Sequence, residues 1–308
     1  MTPEALRYET HEEWLELRTK GVGGSDAAAV VGLNPYRTPL DVYFEKRGET
    51  EPEDLSDNEA VHFGNVLEDV IAQEYSRRTG RKVRRNNRLL RHPEHSFMQA
   101  SLDREVVGES RLLECKTAGA FMADQWGEAG TDEVPMQYLI QCMHYLAVTG
   151  KDLCDLAVLI GGRDFRIYPI QRDEELVANL IAGEAEFWRR VQDGDPPPPQ
   201  VVGDVHKLHP RDDGSVIRAE TEAVLLVEAM NETKGQIKQL EAVKREHEKQ
   251  LKAYLGDHAI LEAPDGRKLA TWKNQTSSRF DAKAFKADHP DIDAQYRRES
   301  EARVLRTY

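Results

Sequence analysis

Four consecutive prolines, Pro196 to Pro199 in "DGDPPPPQ", divide this 308-residue chain. Proline fixes φ and has no backbone N–H, so neither a central strand nor a helix interior can run through four of them. The stretch reads as a stiff, extended connector. Upstream, helical and strand patterns alternate; downstream they do not. Residues 1–212 therefore read as one α/β domain. Residues 213–308 read as an accessory module, a long helix followed by a small α+β unit.

In the first part, residues 3–19 read as an amphipathic helix. "VGGSDAAAVVG" gives a glycine-rich turn and a short helix with Ser25 or Asp26 near its cap. In "TPLDVYFEKRG", Thr38 suits the N-cap, Pro39 the first helical position and Asp41 the capping-box position. Residues 58–79 carry a stripe of Phe63, Leu67, Val70, Ile71 and Tyr75, and Gly80 ends that helix. Strands are expected at 82–91, 97–107 and 111–118. "VPMQYLIQCMHYLAVTG" predicts a helix closed by Gly150. "CDLAVLIGG" and "DFRIYPI" predict two strands joined at Gly161-Gly162, and a helix follows over 173–192.

In the second part, a charged helix is expected over 218–255. Leu226, Met230, Ile237, Leu240, Leu251 and Tyr254 recur at alternating spacings of three and four, interrupted by Thr233, Lys244 and His247. Such a helix suits half of a helical hairpin or a short coiled coil. Its polar seam argues against a strong homodimeric coiled coil, so it is expected to pack partly on its own chain. The tail turns at Asp265-Gly266, then interleaves Trp272, Phe280, Phe285 and Tyr296 with Lys and Arg. That pattern suits stacking on single-stranded DNA or a small core with a basic rim, and the core reading is preferred.

Composition bounds the class. With 39% hydrophobic and 31% charged residues, the chain fits a globular protein. No apolar run approaches the ~20 residues that span a bilayer, and the acidic, polar start is no secretory signal. Cys115, Cys142 and Cys154 lack CxxC spacing, which favours a reducing compartment over a zinc or disulfide framework; a cytoplasmic protein is expected. A net charge of −13 counts against coating nucleic acid over the whole surface, not against gripping it locally. Residues 77–91 hold eight Arg or Lys and no acid, either a solvated face or a phosphate contact.

The chemistry concentrates in "RLLECKTAGAF", where Glu114 and Lys116 stand inside an otherwise apolar strand. Burying a charge is costly unless it is paired or bound to a metal. A two-residue turn at Gly108-Glu109 in "VGES" suits a type II′ hairpin. That register sets Asp103 opposite Glu114 and Ser101 opposite Lys116, all four on one face, with Leu102, Val106, Leu113 and Cys115 on the other. Two adjacent carboxylates repel unless a cation lies between them. Both a structural Glu–Lys pair and a divalent-metal site with Lys116 beside it fit. Glu68 lies on the 58–79 helix near Gly64 and Asn65, where a carboxylate can reach the sheet. Gln137, Gln141 and His144 share one face of the helix after the strands.

"SLDREVV…LLECKTA" resembles the D…ExK signature of the PD-(D/E)xK nucleases. "GVGGSDAAAVVGLNPYRTPLDVYFEKRG", "FGNVLEDVIAQEY" and "VPMQYLIQCMHYLAVTG" resemble the YqaJ-like viral recombinases, the phage alkaline exonuclease family that includes lambda exonuclease. The four ordered blocks span roughly residues 10–200 and are together specific. The resemblance implies a restriction-endonuclease-like core, a central mixed sheet flanked by helices. It implies Mg²⁺-dependent, processive 5′→3′ digestion of one strand of linear duplex DNA, exposing 3′ single strands for recombination. Two Mg²⁺ ions, with Mn²⁺ as a substitute, a ring-shaped trimer and a phage annealing protein as partner are also implied. Position by position, Asp103 and Glu114 match metal-binding acids, and the Cys115 carbonyl a backbone ligand. Lys116 matches the lysine that orients or activates water, Glu68 the helix carboxylate near the metals, and Gln137 the glutamine at the scissile region. Arg18, Ser25 and Ser101 fall where the family holds the 5′-phosphate, and Gln141 sits on the same DNA-facing helix side. The usual Pro-Asp is Leu102-Asp103 here. Residues after about 212 lie outside the part shared with lambda exonuclease. Other readings are a restriction-type endonuclease, an inert DNA-binding scaffold, and a RecB-like repair nuclease; an iron–sulfur cluster in the last needs four cysteines and the chain has three.

Overall fold

A computed structural model describes residues 2–50 and 57–308. The chain forms two compact units, Met1–Leu208 and His209–Tyr308. In order, the first contains β1 (Glu4–Leu6), α1 (His11–Thr19), β2 (Val22–Gly23), α2 (Gly24–Val30), α3 (Pro39–Lys46), α4 (Glu59–Thr79), β3 (Val83–Arg84), β4 (Leu89–Arg91), β5 (Met98–Ser101), β6 (Arg104–Val106) and β7 (Arg111–Ala118). A 3₁₀ turn at Ala120–Gln125 leads to α5 (Met136–Thr149), β8 (Leu153–Ile160), β9 (Asp164–Gln171), α6 (Glu174–Asp193) and α7 (Val202–Leu208). The second unit contains α8 (Thr221–Leu255), β10 (Ile260–Glu262), β11 (Lys268–Thr271), α9 (Ala282–Asp288) and α10 (Pro290–Tyr296). The boundary expected at 212/213 lies four residues beyond this division.

The central sheet has strand order β3-β6-β7-β8-β9, and β7 and β8 pair in parallel over eight residues. Parallel neighbours need a crossover, and α5 supplies it. One face of β7 and β8 packs under α4 through Ile71, Ala72 and Tyr75 against Leu113, Cys115 and Ala157. The other packs under α5, with Leu112, Leu156 and Val158 joining Cys142 and Leu146. Strands covered on both faces read as near-continuous apolar runs, which is why Glu114 and Lys116, inside β7, stand out. A second sheet, β1-β4-β5-β2, lies alongside in the same unit. Several local signals hold: Thr38 and Asp41 form the capping box of α3, and Gly80 and Gly150 end their helices with left-handed φ; α4 is also capped, by Asn58.

Four expectations are corrected. Residues 3–19 are not one helix: Glu4–Leu6 pair with β4, a partner some 85 residues away that local periodicity cannot reveal. The 82–91 strand is two strands, β3 and β4, in different sheets. The 97–107 strand likewise breaks at Leu102-Asp103, sending β5 to the second sheet. Ser101 therefore pairs with Leu89, not opposite Lys116. Leu102 packs with the α5-side core rather than with Leu113 and Cys115. The β6–β7 loop is Val107–Ser110, longer than two residues. Its turn bond runs from Glu109 N–H to Val106 O, and Gly108 takes φ +81° at the turn's third position. The longer loop leaves the register intact, Arg104 opposite Leu113 and Glu105 opposite Leu112.

Candidate active site

That register carries Asp103, one residue before β6, to the edge of β7 beside Glu114. Asp103 Oδ2 accepts the Cys115 N–H at 2.8 Å. In an antiparallel ladder a residue's N–H and C=O address the same neighbour, so the Cys115 carbonyl faces this side as well. Glu114 is 2% exposed. Its Oε1 accepts from Lys116 Nζ at 2.6 Å and from Gln141 Nε2, on α5, at 2.8 Å. The same Gln141 amide donates to the Tyr145 hydroxyl at 2.9 Å. Lys116 also lies 5.4 Å from the ring centroid of Tyr138. The structure thus brings together Asp103, Glu114, Lys116 and Gln141, and Gln137 lies one turn before Gln141 on α5. A cleft of about 430 Å³ opens between α4 and the end of β7, lined by Phe63 and Leu67 of α4 and by Thr117 and Ala118 of β7; none of the clustered polar residues lines it.

Charge in this cluster is unbalanced. Burial, then the Glu114 carboxylate, pushes the Asp103 carboxyl well above the usual range, against Lys116 and the Cys115 N–H. Burial acts to lower the Lys116 ammonium, but Glu114 and Asp103 outweigh it and hold it charged above its ordinary range. Glu114 Oε2 is buried without a hydrogen-bond partner. A buried carboxylate oxygen left unpaired is costly, and a hard cation shared with Asp103 would satisfy it. Among the described residues, no three His, Cys, Asp or Glu side chains converge to enclose a metal unaided. Mg²⁺ is often held by one or two carboxylates, with waters and substrate phosphate completing its shell, so the Asp103–Glu114 pair and the Cys115 carbonyl fit it.

Glu68 takes a different partner from the one expected. It is gripped by Arg104, whose guanidinium also holds Asp69; Arg85 lies 3.4 Å from Glu68. Glu68 still adds to the negative field on Asp103. Arg104, 4% exposed, was not singled out in the sequence, where it sits among acids in "DREVV".

Arg18, Ser25 and Ser101 form one string. Arg18 donates to Ser25 Oγ at 2.9 Å and lies 4.8 Å from the Trp14 ring centroid; Trp14 Nε1 donates to Ser101 Oγ at 3.3 Å. Behind them Asp26 is fully buried, with Lys46 Nζ at 2.8 Å, Arg37 at 3.2 Å and Arg18 at 4.0 Å. Burial acts to raise its carboxyl, but the three cations drive it far below the usual range. One carboxylate thus anchors three cations around the start of α2. Sequence reading missed Lys46 and Arg37; an acid in the alanine run "SDAAAVV" was the available signal. The α2 start abuts the acidic cluster, since a Cβ on Gly24 would lie 2.3 Å from the Tyr145 ring.

His144 does not face the site. It is wholly buried, with Nδ1 2.8 Å from Glu184 Oε1 and Nε2 2.8 Å from the Gln99 carbonyl. The 77–91 basic run is largely neutralised: Arg77 and Arg78 bind Glu74, Arg81 binds Glu109, Arg84 binds Glu105 and Arg91 binds Glu4.

Comparisons with known proteins bear on the family and the fold. The sequence profile of the YqaJ-like viral recombinase domain matches residues 13–152. The uncharacterized protein YqaJ of Bacillus subtilis (strain 168) is 36% identical over 316 residues, covering 96% of this chain and 93% of that protein. The chain belongs to the YqaJ-like viral recombinase family. The uncharacterized protein R354 of Acanthamoeba polyphaga mimivirus is 31% identical over 156 residues, 47% of this chain and 28% of that one. Among solved structures, the alkaline exonuclease LHK-Exo from Laribacter hongkongensis superposes with a TM-score of 0.50 at 22% identity, covering 60% of this chain and 94% of that one. The first unit of this YqaJ-family chain therefore has the PD-(D/E)xK-type fold. No helix among the described residues is long and apolar enough to cross a membrane.

Proposed function

We propose that the protein is a metal-dependent exodeoxyribonuclease that digests one strand of linear duplex DNA from its 5′ end, leaving 3′ single strands for phage-type recombination. The observation that carries this reading is the convergence of Asp103, Glu114 and Lys116, with an unpaired buried oxygen on Glu114, next to a cationic helix start. Asp103, Glu114 and the Cys115 carbonyl would hold Mg²⁺ or Mn²⁺. When bound, the metal supplies a water of lowered pKa and neutralises phosphoryl charge. Lys116, kept charged by its two acids, donates hydrogen bonds to the attacking water and to the phosphate oxygens rather than taking a proton. Gln141 fixes the Glu114 carboxylate, and Gln137 continues that face toward the scissile region. Glu68 adds negative charge at the metal's edge. Arg18 and Ser25, with Ser101 joined through Trp14, hold the 5′-phosphate. A ring-shaped trimer and a phage annealing protein as partner belong to the same reading.

Linear and covalently closed duplexes, incubated with and without Mg²⁺, test it. Degradation confined to linear DNA with Mg²⁺ supports the exonuclease. Cleavage of closed circles points to an endonuclease, and no cleavage under any condition to an inert DNA-binding protein.

A further inference from the structure

Helix α8 runs 35 residues, about 50 Å at 1.5 Å per residue, and only Leu255 in it is buried. Leu226, Ile237, Leu240, Leu251 and Tyr254 are all exposed. Together with Ala223, Met230 and the polar Thr233, Lys244 and His247 they keep three–four spacing over five heptads. A seam of that length left facing solvent is a strong sign of a partner.

The sequence restricts the partner's direction. A parallel copy sets Lys244 against Lys244 in the seam, where like charges repel, and stacks the polar His247 on itself. An antiparallel copy in which facing residue numbers sum to 477 avoids both. It sets Ile237 against Leu240 at the two-fold axis, then Leu226 against Leu251 and Ala223 against Tyr254. Thr233 faces Lys244 and Met230 faces His247, so neither Lys244 nor His247 meets its own kind. Charge follows the same direction. Residues 221–237 carry three Glu and one Lys, whereas residues 238–255 carry five Lys or Arg and three Glu. Only antiparallel pairing lays the acidic half on the basic half. On the flank, Lys234, which also donates to Thr307 at 2.7 Å, comes level with Glu241 of the second copy, and the converse contact repeats it. A two-fold interface must be self-complementary in this way.

We infer that α8 is a homotypic assembly device, pairing antiparallel with the α8 of a second copy and joining two nuclease units through their accessory modules. The pairing is independent of DNA, metal and the residues of the candidate active site.

Directional disulfide capture in the full-length chain tests it. Leu226→Cys and Leu251→Cys are made separately, on chains carrying tags of different size, and oxidised mildly alone and mixed. A cross-linked heterodimer in the mixture, with little cross-linking of either variant alone, is the expected result. Lys234→Glu should lower its yield severalfold, and adding Glu241→Lys should restore it. Self-cross-linking of each variant alone overturns the antiparallel arrangement. No cross-link in any mixture, which is the outcome if the seam is covered by the chain's own nuclease unit, overturns the proposal altogether.

Discussion

Gln141 and Lys116 share one oxygen of Glu114: the amide donates to Oε1 at 2.8 Å and the ammonium at 2.6 Å, while Oε2 is left buried without a partner. The side chain is thereby fixed through one oxygen, and the other is left free. Under the proposed function, Asp103→Asn, Glu114→Gln and Lys116→Ala each lower DNA hydrolysis by about a hundredfold to a thousandfold or more, while leaving circular dichroism unchanged. In metal-free buffer, Asp103→Asn should raise Tm, because one of two facing acids is gone. Near wild-type hydrolysis in any of the three would remove that residue from the mechanism.

Gln141→Leu takes away a donor that two buried oxygens share. It should destabilise the fold by about 1–3 kcal/mol and lower hydrolysis, as Glu114 loses its fixed orientation. Gln141→Glu should be worse, since it adds a carboxylate beside Glu114. Chemical denaturation beside a hydrolysis assay separates the two effects.

Arg18→Ala should abolish any preference for 5′-phosphorylated over 5′-hydroxyl duplex ends, with hydrolysis of 5′-hydroxyl ends much less affected. The removed guanidinium is bonded to Ser25 and stacked on Trp14. An unchanged end preference would mean that Arg18 serves only Asp26.

The His144–Glu184 pair predicts a pH effect on stability. Burial acts to lower the His144 imidazole, but Glu184 and the Gln99 carbonyl raise it, while burial raises Glu184. Both shifts mean that the folded pair keeps a proton the unfolded chain has released. The histidine's share is fully present below its unfolded value, ~6.5, and is lost as pH rises through the higher folded value, whereas the share from Glu184 is already being lost above the unfolded carboxyl value, ~4.3. Tm should fall from about pH 6.5 upward, and Glu184→Gln, which removes the main stabiliser of the imidazolium, should flatten that slope.

A chain ending at residue 212 should still digest linear duplex with the same metal requirement, because every residue assigned to the site lies in the first unit. Binding to single strands is expected to weaken. A soluble, folded but inactive product would assign the accessory module to the nuclease itself.

Residues with local partners were legible from the sequence: the Thr38–Asp41 box, the glycine helix ends, and the Asp103–Glu114 register, which survived a misjudged turn because only its sum mattered. What escaped depended on distant partners. The break at Leu102-Asp103 exists where Asp103 takes a backbone N–H of β7 with its side chain. His144 looked like a site residue because its true partner, Glu184, is 40 positions away. The tail aromatics failed the preferred core reading. Trp272, Phe280 and Tyr296 are exposed, and half-buried Phe285 packs its ring against Phe280 at 5.0 Å and His289 at 5.3 Å. Likewise α8 scarcely packs on its own unit, touching the C-terminus through Asn231 and Lys234.

The parallel β7–β8 pair also has a kinetic meaning. Arg111 to Ala118 align with Leu153 to Ile160, so their pairing requires a loop of some forty residues, α5 included, to close first. Pairings across such separations form late. Gln141, which fixes Glu114, sits inside that loop. During synthesis the two acids and the lysine are therefore on the chain long before they become a site, and a partly made or misfolded molecule carries the residues of a nuclease without its geometry.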